Sequence, residues 1–513
     1  MTNPSVSASV SVWQTTAVET KFPHLASDIV VDVAVVGGGI TGLTTALLLK
    51  RAGLSVAVLE GLHVGGGVTG YTTAHISEVP DIGYQHLISN FGEQAAQLAV
   101  QSRRAAIEQI AKLILEEQIE CSFERVQGYL YTESSKDVSY LGSEVEAARK
   151  LGIAATLTTD VPLPFPVKAG ILFPNQAQFH SLQYLQALAK AVSGGRGHIF
   201  ERTRVLDVSG ESPYKVSTQR GSVTAKNVIL ATHTPINDLS HLQDVYLVTA
   251  KLIPYRSYVL GVRLLSSPAP EGLFWDTQDP YHYTRKYIDP MAGEFLIVGG
   301  ADHKTGEDVD TEARYQQLEQ YVRSRFAVES IPYRWSAQWY QPVDGLPFIG
   351  KSPAHDHLYV ATGYSGNGIS FGTIAGMLLA DTILGRPNPW SELYDANRVK
   401  PLAAGQQFLA QNLDIAKHFI ADRFKRNAQT IDEVPKGEGR IVEIEGDQVA
   451  IYREQGGAIH ALSPVCSHLG CIVNWNKAEK SWDCPCHGGR FSCTGEILNG
   501  PPIKNLESKQ LSQ

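Results

Sequence analysis

The apolar residues near the start of the chain form two different patterns, an unbroken run and then a helical period. An unbroken, β-branched run from Val30 to Val36 has the composition of a strand buried on both faces of a parallel sheet. From Ile40 to Ala52 the apolar residues follow a helical period, with Leu43 and Leu47 available to face the sheet. A second strand, Ser55 to Leu59, comes next. This order predicts a strand–helix–strand unit of an α/β fold.

Later apolar segments predict a second layer. His198 to Val208 and Val228 to Thr232 indicate further strands, and Ile369 to Leu384 indicates a helix. Alternating runs at Ser257 to Leu265 and Glu294 to Gly299, with aromatic residues throughout, are typical of an antiparallel sheet. We therefore expect a parallel α/β layer and a separate antiparallel layer.

The composition of the 513 residues is that of a compact enzyme, with 43% apolar and 19% charged residues. The formal net charge is −8 and no basic run is long enough to follow a phosphate backbone, so we expect no nucleic-acid partner. Asp32 and three glycines interrupt the apolar stretch from Val30 to Leu49, so we expect no membrane span. Because no apolar leader with a cleavage site opens the chain, we predict a cytoplasmic location.

A glycine-rich turn joins the first strand to its helix. Gly37-Gly38-Gly39-Ile-Thr41-Gly42 follows the strand directly, and Glu60 comes eighteen positions after the last glycine. Gly37 permits the tight turn, Gly39 admits a pyrophosphate, and Gly42 lets helix and strand pack closely. The helix N-terminus attracts phosphate charge, and Glu60 accepts from a ribose hydroxyl. The complete unit predicts a dinucleotide site for NAD or FAD.

Cysteine and histidine cluster near the end of the chain. Five of the six cysteines fall within the last fifty residues, which indicates a cofactor site rather than a secreted disulfide framework. Cys466 and His468 are followed, after fifteen residues, by Cys484 and His487. Two thiolates and two imidazoles suit a two-iron, two-sulfur cluster whose irons are held differently. Similar spacings bind tetrahedral zinc, which stays open as the alternative.

The whole end segment resembles a Rieske domain. The matching motifs are Cys-Ser-His-Leu-Gly-Cys, Cys-Pro-Cys-His-Gly-Gly and the Asn-Gly-Pro-Pro sequence at 499–502. The resemblance implies four ligands of a [2Fe-2S] cluster, namely Cys466, His468, Cys484 and His487. It also implies a disulfide between the two cluster loops, from Cys471 to Cys486. We interpret the remaining cysteines, Cys121 and Cys493, as ordinary packed or partly exposed thiols.

The segment after Glu60 favours FAD over NAD. The sequence from Gly65 to Ala74 resembles the loop beneath the flavin in the D-amino-acid oxidase-like family of FAD-dependent oxidoreductases. Asp344 to Gly350 and Leu358 to Gly368 match the closing segments of that family. The resemblance implies bound FAD and the following contact residues: Gly37, Gly38, Gly39, Thr41, Gly42, Glu60, Thr69, Gly70, Thr72, Thr73, Val205, Gly366, Asn367, Gly368 and Ile369.

The last glycine loop leaves a second interpretation open. Gly366, Gly368 and Gly372 follow a strand and precede a helix, a pattern that also begins a nicotinamide-binding unit. No strand with a ribose-binding acid follows that helix, so the unit is incomplete. In the flavin interpretation, the helix points its N-terminus at the pyrimidine edge of the ring and stabilises negative charge there.

The resemblances divide the chain into three parts. They are a FAD-dependent oxidoreductase at 1–400, a helical connector at 401–427 and a Rieske domain at 428–513. Within the first part, FAD-binding segments alternate with segments of a substrate domain. The FAD-binding segments lie at about 28–80, 186–235 and 336–390. The substrate domain lies at about 81–185 and 236–335. The predicted fold class is α/β, with a Rossmann-like FAD-binding domain, an inserted antiparallel-sheet substrate domain and a small all-β Rieske domain.

We expect the catalytic residues on the substrate sheet. The segment from Pro280 to Arg285 carries a cation and two phenols, and strand alternation sends Tyr281, Tyr283 and Arg285 to one face. A guanidinium there would hold a substrate carboxylate through two hydrogen bonds. The predicted catalytic residues are Tyr255, His282, Tyr283 and Arg285. The alternative is an aromatic strand that packs against its neighbours and carries a surface arginine.

A flavin and an iron–sulfur cluster in one chain convert electron pairs into single electrons, because a flavin accepts a hydride and the cluster accepts one electron at a time. The family resemblance implies oxidation of a C–N bond in an amine or amino acid, with electrons passing from FAD through the cluster to an external carrier. Two alternatives stay open. One is a reductase in which an external donor feeds the cluster and then the flavin, and the other is a redox-sensing or electron-relay protein.

Overall fold

The computed structural model describes residues 9–235, 246–265, 268–307, 310–353, 355–399, 410–415 and 430–511. Up to residue 235 the helices and strands are, in chain order, α1 Val12–Thr16, β1 Ile29–Val36, α2 Ile40–Arg51, β2 Val56–Leu59, β3 His75–Ile76, α3 Tyr84–Phe91, α4 Glu93–Glu116, β4 Glu124–Thr132, α5 Val138–Lys150, β5 Thr156–Thr158, β6 Ala169–Gln178, α6 Ser181–Val192, β7 Gly197–Phe200, β8 Val205–Ser209, β9 Tyr214–Thr218 and β10 Ser222–Leu230.

Between 246 and 399 they are α7 Tyr246–Thr249, β11 Leu252–Leu264, β12 Leu273–Asp276, β13 His282–Asp289, β14 Gly293–Lys304, α8 Thr311–Arg323, β15 Val328–Pro342, β16 Phe348–Ser352, β17 His355–Thr362, α9 Gly368–Ile383 and α10 Ser391–Tyr394. The last range contains β18 Glu438–Ile444, β19 Asp447–Arg453, β20 Ile459–Leu462, β21 Asn474–Asn476, β22 Ser481–Asp483, β23 Arg490–Ser492 and β24 Ile497–Asn499. The predicted connector at 401–427 lies outside the described residues except for 410–415, which are helical.

The first sheet is the parallel layer that the front of the chain predicts. Its strands follow the order β16-β17-β10-β1-β2-β7, with β9 paired to β10 and β8 paired to β9. β1 pairs in parallel with β2 and β10, and β2 pairs in parallel with β7. α2 packs against both α6 and α9. This layer confirms the predicted α/β class.

The strand predicted over 198–208 is two strands, β7 and β8, and the single-strand prediction is wrong. Arg202, between them, has a φ of 49°, a left-handed conformation that an extended strand does not contain. The buried side chain of Glu201 accepts hydrogen bonds from the backbone N–H groups of Phe22 at 2.9 Å and Val64 at 2.8 Å. This anchor fixes the break between the strands.

The second sheet is the layer that the alternating runs predict. Its strands follow the order β15-β11-β14-β13-β12-β4-β6-β3, with β5 beside β6. Paired strands are antiparallel except for β12 and β4, which run parallel. β15 continues without a break across the predicted domain boundary between 335 and 336. Residues 336–342 therefore belong to the substrate layer.

Two small antiparallel sheets follow in the last described range. One has the order β18-β19-β20, and the other has the order β21-β22-β23-β24. A separate apolar core, which includes Ile472, Val473, Trp482 and Phe491, lies within this unit. The all-β class predicted for the last domain is confirmed.

Glycines after β17 let α9 approach α2 closely. A Cβ at Gly372 would lie 2.4 Å from the side chain of Ile40, and one at Gly376 would lie 2.6 Å from the side chain of Thr44. Within the described residues, no strand follows α9 before β18. The glycine pattern thus serves helix packing, and the structure gives no support to a second nicotinamide-binding unit.

Residues 9–17 pack against the predicted flavin loop. α1 buries the side chain of Trp13, whose indole N–H donates to the carbonyl oxygen of Thr72 at 2.6 Å. The hydroxyl of Ser11 donates to the carbonyl oxygen of Gly70 at 2.7 Å. Side chains remote in sequence therefore hold this loop in place.

The longest helix of the described ranges is α4, which carries charged residues along its length and packs against α3 and α9. Among the helices that the structure describes, none has the length and apolar composition that a membrane crossing requires.

Candidate active site

A cavity of about 680 Å³ lies between the first two sheets. One end, here called the dinucleotide end, is formed by the loops after β1 and β2, at the carboxyl edge of the parallel strands. The second sheet forms the aromatic end, whose wall includes Ser257, Trp275, Tyr281, Tyr283 and Trp339. The residues predicted to contact FAD all line this cavity except for three glycines, Gly38, Gly42 and Gly70.

At the dinucleotide end, backbone groups hold Glu60 in place. Its carboxylate accepts from the N–H groups of Gly38 at 2.7 Å and Leu62 at 2.8 Å. Burial raises the pKa of Glu60, while these N–H groups and the nearby Arg204 favour its charged form. Gly37 has a φ of +111°, which side-chain-bearing residues rarely adopt. Through its backbone N–H, Gly38 orients the carboxylate of Glu60, which we expect to bind a ribose hydroxyl.

Gly42 acts through packing rather than by facing the cavity. A Cβ there would lie 2.0 Å from the carbonyl oxygen of Gly37. We expect Gly42→Ala to shift the glycine turn and weaken FAD binding about ten- to hundredfold, because overpacking costs about 1–3 kcal/mol. Release of FAD on dilution, followed by flavin fluorescence, measures the effect. The matched control is Gly142→Ala on α5, where a Cβ meets no atom within 4 Å, and equal FAD affinity in the two variants would contradict the packing role.

Several side chains that line the cavity near the flavin loop also contact one another. The hydroxyls of Thr41 and Tyr364 lie 2.9 Å apart and join α2 to the loop before α9. Thr73 Oγ1 lies 3.1 Å from His75 Nδ1. Burial lowers the pKa of His75 to about 3, with a further contribution from the positive charge of Arg285. The imidazole beside this loop is therefore neutral near pH 7.

The aromatic end brings phenol, indole and carboxylate groups together. The hydroxyls of Tyr283 and Ser257 lie 2.7 Å apart, and the ring of Tyr281 lies 5.5 Å from that of Tyr283. The indole N–H of Trp339 donates to Asp302 Oδ2 at 3.1 Å. Burial raises the pKa of Asp302 to about 7, opposed by hydrogen bonds from Ser257 and Trp339. Asp302 is thus able to exchange a proton near neutral pH, one hydrogen bond behind the cavity wall.

Of the four predicted catalytic residues, Tyr283 lines the cavity. Tyr255 stacks behind Trp339, with ring centroids 4.7 Å apart. His282 faces the other side of β13, where its Nδ1 lies 3.0 Å from Asp276 Oδ2. The expectation that Tyr255 and His282 contact the substrate is corrected, because both support the wall from behind.

Arg285 requires a larger correction. It is 1% exposed, and its guanidinium donates to the carbonyl oxygens of Ala74 at 3.0 Å and Phe179 at 3.2 Å. The same group lies 5.1 Å from the ring of Trp13, and burial lowers its pKa to about 9. Both the carboxylate-binding and the surface-arginine interpretations are wrong. Arg285 lies farther along β13 than Tyr283, where α1 and the flavin loop cover the sheet.

The four predicted cluster ligands are buried together in the last domain. Cys466, Cys484 and His487 are at most 3% exposed, and His468 is 8% exposed. The two imidazole rings lie 5.0 Å apart and nearly perpendicular. A hydrogen bond to Cys484, together with burial, raises the pKa of the Cys466 thiol. Burial lowers the pKa of His468 to about 3 and that of His487 to about 4, which keeps both rings in the neutral, metal-binding form.

This donor set fits a two-iron, two-sulfur cluster. A pair of thiols in hydrogen-bond contact and a pair of packed imidazoles supply the separate sulfur and nitrogen pairs that such a cluster needs. Burial disfavours thiolate charge, and ferric iron would compensate that charge. We therefore keep Cys466, His468, Cys484 and His487 as the proposed ligands.

A disulfide lies beside these residues. It joins Cys471 to Cys486, whose Cα atoms are 6.5 Å apart. The sulfur of Cys484 lies within 4.8 Å of both disulfide sulfurs. Because the bonded sulfurs offer no thiolate, Cys484 is the member of this group that is able to bind iron. The disulfide connects the loop of Cys466 to the loop of Cys484, the position that the Rieske resemblance implies.

The cluster loops contact the flavin cavity through one strand. Gln338 of β15 lines the cavity and donates to the carbonyl oxygen of Gly488 at 2.8 Å. Tyr340, two residues along, donates to the carbonyl oxygen of His487 at 3.2 Å and accepts from Gln338 Nε2 at 2.8 Å. Gly500, in the loop after β24, lines the cavity as well. Two adjacent side chains thus bridge the cavity and a proposed cluster ligand.

A buried ion-pair network joins the same two modules. Glu479 accepts from Arg256 of β11 at 2.5 Å, and also from Arg490 and Ser336. Arg490 Nε donates to Asp483 at 2.9 Å. Burial would raise the pKa of Glu479, but the two guanidinium groups outweigh it and hold the pKa at about 2. The charged network fixes the last domain against the second sheet.

Sequence reasoning missed Asp81, Gln338, Tyr340 and Glu479. Asp81 follows Pro80 shortly after the flavin loop, but nothing in the sequence indicates that it lines the cavity. Gln338 and Tyr340 alternate along a strand, but nothing in the sequence indicates that their face meets the last domain. Glu479 stands in a charged stretch that is typical of a solvated turn.

Comparisons with known proteins cover both modules. The family model described as FAD dependent oxidoreductase, DAO, matches residues 32–382, and the Rieske [2Fe-2S] domain model matches residues 427–510. The putative Rieske 2Fe-2S iron-sulfur protein YhfW of Bacillus subtilis strain 168 is 36% identical to this chain over 97% of both proteins. Gamma-glutamylputrescine oxidoreductase of Escherichia coli K12 is 24% identical over 71% of this chain and 86% of its own length.

Among solved structures, glycine oxidase from Geobacillus kaustophilus matches with a TM-score of 0.61 at 19% identity, over 72% of this chain and 99% of that chain. At this identity the likeness concerns the fold alone. The first family model covers more than half of the chain, and its range contains the cavity-lining glycine turn and flavin loop. The chain therefore belongs to the DAO family of FAD-dependent oxidoreductases and carries, after its flavin module, a Rieske domain that binds a [2Fe-2S] cluster.

Proposed function

We propose that this protein is a FAD-dependent dehydrogenase that oxidises the C–N bond of an amine or amino acid. The electrons pass from FAD through the [2Fe-2S] cluster to an external acceptor. The name of gamma-glutamylputrescine oxidoreductase and the fold shared with glycine oxidase support a C–N bond as the target.

In the proposed reaction an ammonium substrate loses one proton and one hydride, so that its C–N single bond becomes an iminium double bond. Bound FAD supplies the acceptor for the hydride. The proton has a route through side chains of the aromatic end. The Tyr283 hydroxyl lies 2.7 Å from that of Ser257, and the Ser257 hydroxyl in turn lowers the pKa of Asp302. Because the pKa of Asp302 is about 7, this carboxylate is suited to accept the proton near neutral pH.

The observation that carries the proposed electron path is the bridge formed by β15. Gln338 faces the flavin cavity and hydrogen-bonds to Gly488, and Tyr340 hydrogen-bonds to His487. The two redox modules are in direct contact at this point. Such contact favours transfer within one chain over release of reduced flavin electrons to a separate protein.

Anaerobic mixing of the purified protein with a panel of amines and amino acids tests the proposal. We expect at least one of them to bleach the flavin absorbance, followed by the paramagnetic signal of the reduced cluster. Bleaching without a cluster signal would contradict the electron path. If only a protein donor reduces the flavin, the reductase or relay alternatives replace this proposal.

The external acceptor is proposed to be a one-electron carrier, because the cluster releases electrons singly.

The cytoplasmic location remains a prediction, which fractionation of cells with an antibody against the chain would test.

A further inference from the structure

The aromatic end of the cavity carries an excess of negative charge. Among the described residues that line the cavity, the carboxylates at this end are Asp81, Asp137, Glu144, Asp276 and Asp279. Arg204 is the only lysine or arginine in the described lining, and its charge interacts with Glu60 at the dinucleotide end. A substrate carboxylate therefore meets no described cation at the aromatic end.

Three of these carboxylates serve the protein itself. Glu144 and Asp276 accept from backbone N–H groups, and Asp137 accepts from the hydroxyl of Thr277. The other two, Asp81 and Asp279, are exposed and line the cavity, although Asp81 also accepts hydrogen bonds from the Gly366 N–H and the side-chain amide of Asn367. They are therefore the pair that is positioned to meet a ligand.

Asp81 lies where the loop before α9 meets the aromatic wall. Its Oδ2 accepts from the N–H of Gly366 at 2.7 Å, and a Cβ at Gly366 would lie 3.0 Å from this oxygen and 3.2 Å from the hydroxyl of Tyr281. Although its side chain has surface open to the cavity, enclosure by the surrounding protein raises the pKa of Asp81, and the positive charge of Arg103 opposes this effect. The Arg103 guanidinium donates to the carbonyl oxygens of Glu78 and Val79 and does not line the cavity. Carboxylate and phenol thus share a small volume without a cation inside it.

Ser365 gives an independent indication of a ligand at this place. It is 8% exposed, lines the cavity beside Gly366, and its hydroxyl has no partner within the part of the chain that the structure describes. A buried hydroxyl without a partner costs about 1–3 kcal/mol, and a ligand group that hydrogen-bonds to Ser365 would remove this cost. The rings of Tyr281, Tyr283 and Trp339 stand nearby, and aromatic rings attract cations by about 0.5–2 kcal/mol.

We propose that the aromatic end binds its substrate as an organic cation, an amine with no carboxylate on the carbon that is oxidised. Asp81 and Asp279 hold the positive charge, and the rings of Tyr281 and Trp339 pack against the carbon atoms beside it. This inference rests on the proposed function and narrows it, because it removes α-amino acids from the preferred substrates. After binding, the ammonium would lose its proton to the hydroxyls of Tyr283 and Ser257 on the way to Asp302, and bound FAD would supply the acceptor for the hydride of the neutral amine.

Two probes of opposite charge and similar shape test the inference: benzyltrimethylammonium, which lacks the N–H and lone pair that oxidation requires, and benzoate. Titration of the anaerobic holoenzyme, followed by the flavin absorbance, gives both dissociation constants. We expect the cation to bind at least about tenfold more tightly than benzoate, a difference of about 1.4 kcal/mol. Asp81→Asn and Asp279→Asn are each expected to weaken cation binding about tenfold and to leave benzoate binding no weaker.

The control variant is Asp356→Asn, a carboxylate whose side chain is 86% exposed and which does not line the cavity. Asp279→Asn is the second test variant because Asp81 also hydrogen-bonds to the loop before α9, and flavin absorbance reports whether each variant retains FAD. Benzoate binding as tight as that of the cation would overturn the inference, as would unchanged cation affinity in both test variants. If the cation binds selectively but no amine reduces the flavin, the dehydrogenase proposal fails and the charge preference stands.

Discussion

Cys466→Ser is expected to abolish the [2Fe-2S] cluster while FAD stays bound. Cys466 is 3% exposed and in hydrogen-bond contact with Cys484. Because the site is buried, water cannot take the place of the lost sulfur as an iron ligand. The thiol of Cys484 alone cannot hold the iron. A serine hydroxyl stays protonated near neutral pH and is a poor iron ligand. We expect iron to fall from about two atoms per chain to near zero. Neither Cys466 nor its neighbours Ser467 and His468 line the cavity, so substrate should still bleach the flavin.

Metal analysis together with visible absorbance measures this result. The matched control is Cys493→Ser, which removes a partly exposed free cysteine of the same domain and is expected to keep the full iron content. Iron retained in Cys466→Ser would contradict the ligand assignment. Zinc in place of iron in the unmodified protein would contradict the cluster itself.

The second large effect is expected at the interface between the modules. Glu479→Ala leaves the guanidinium groups of Arg256 and Arg490 buried without their shared carboxylate. Breaking a buried pair in this way costs about 3–5 kcal/mol. We expect the denaturant midpoint for loss of the cluster absorbance to fall accordingly. Lys480→Ala is the control, because Lys480 pairs with Glu438 at a partly exposed position and should cost less than about 1 kcal/mol.

The same network sets a pH dependence. The pKa of Glu479 is about 2 in the folded protein, below the model-peptide value of about 4.5, so its charged form is stabilised by folding. The stabilisation is complete above about pH 4.5 and is lost as the pH falls toward 2. In Glu479→Ala this part of the acid-dependent loss of stability should be missing. A variant as stable as the unmodified protein at pH 7 would contradict the role of the network.

The parts of the site that the sequence predicted are those built from neighbouring residues. The glycine turn and Glu60 belong to one strand–helix–strand unit, and their spacing determines how they surround a phosphate. The two cluster loops are similarly short, so residue types and spacing identify the donors. Local geometry of this kind leaves little for the rest of the chain to change.

The parts that the sequence did not predict depend on contacts between distant segments. Alternation placed Tyr283 and Arg285 on one face of β13, but α1 and the flavin loop cover that face at Arg285. The bridge from Gln338 to Gly488 joins residues 150 positions apart. Glu479 is charged and close to other charges in sequence, yet its partner Arg256 lies in another sheet. The pattern of apolar and polar residues along the sequence does not indicate which distant segments pair.

Photoreduction of the flavin in the anaerobic holoprotein, followed by electron paramagnetic resonance of the cluster, tests most directly whether the two centres exchange electrons within one chain. It requires no knowledge of the substrate. The contacts through Gln338 and Tyr340 predict that the reduced-cluster signal follows flavin reduction at a rate independent of protein concentration, and that Cys466→Ser shows no such signal. A reduced flavin beside a cluster that stays oxidised, or a rate that rises in proportion to protein concentration, would contradict the account.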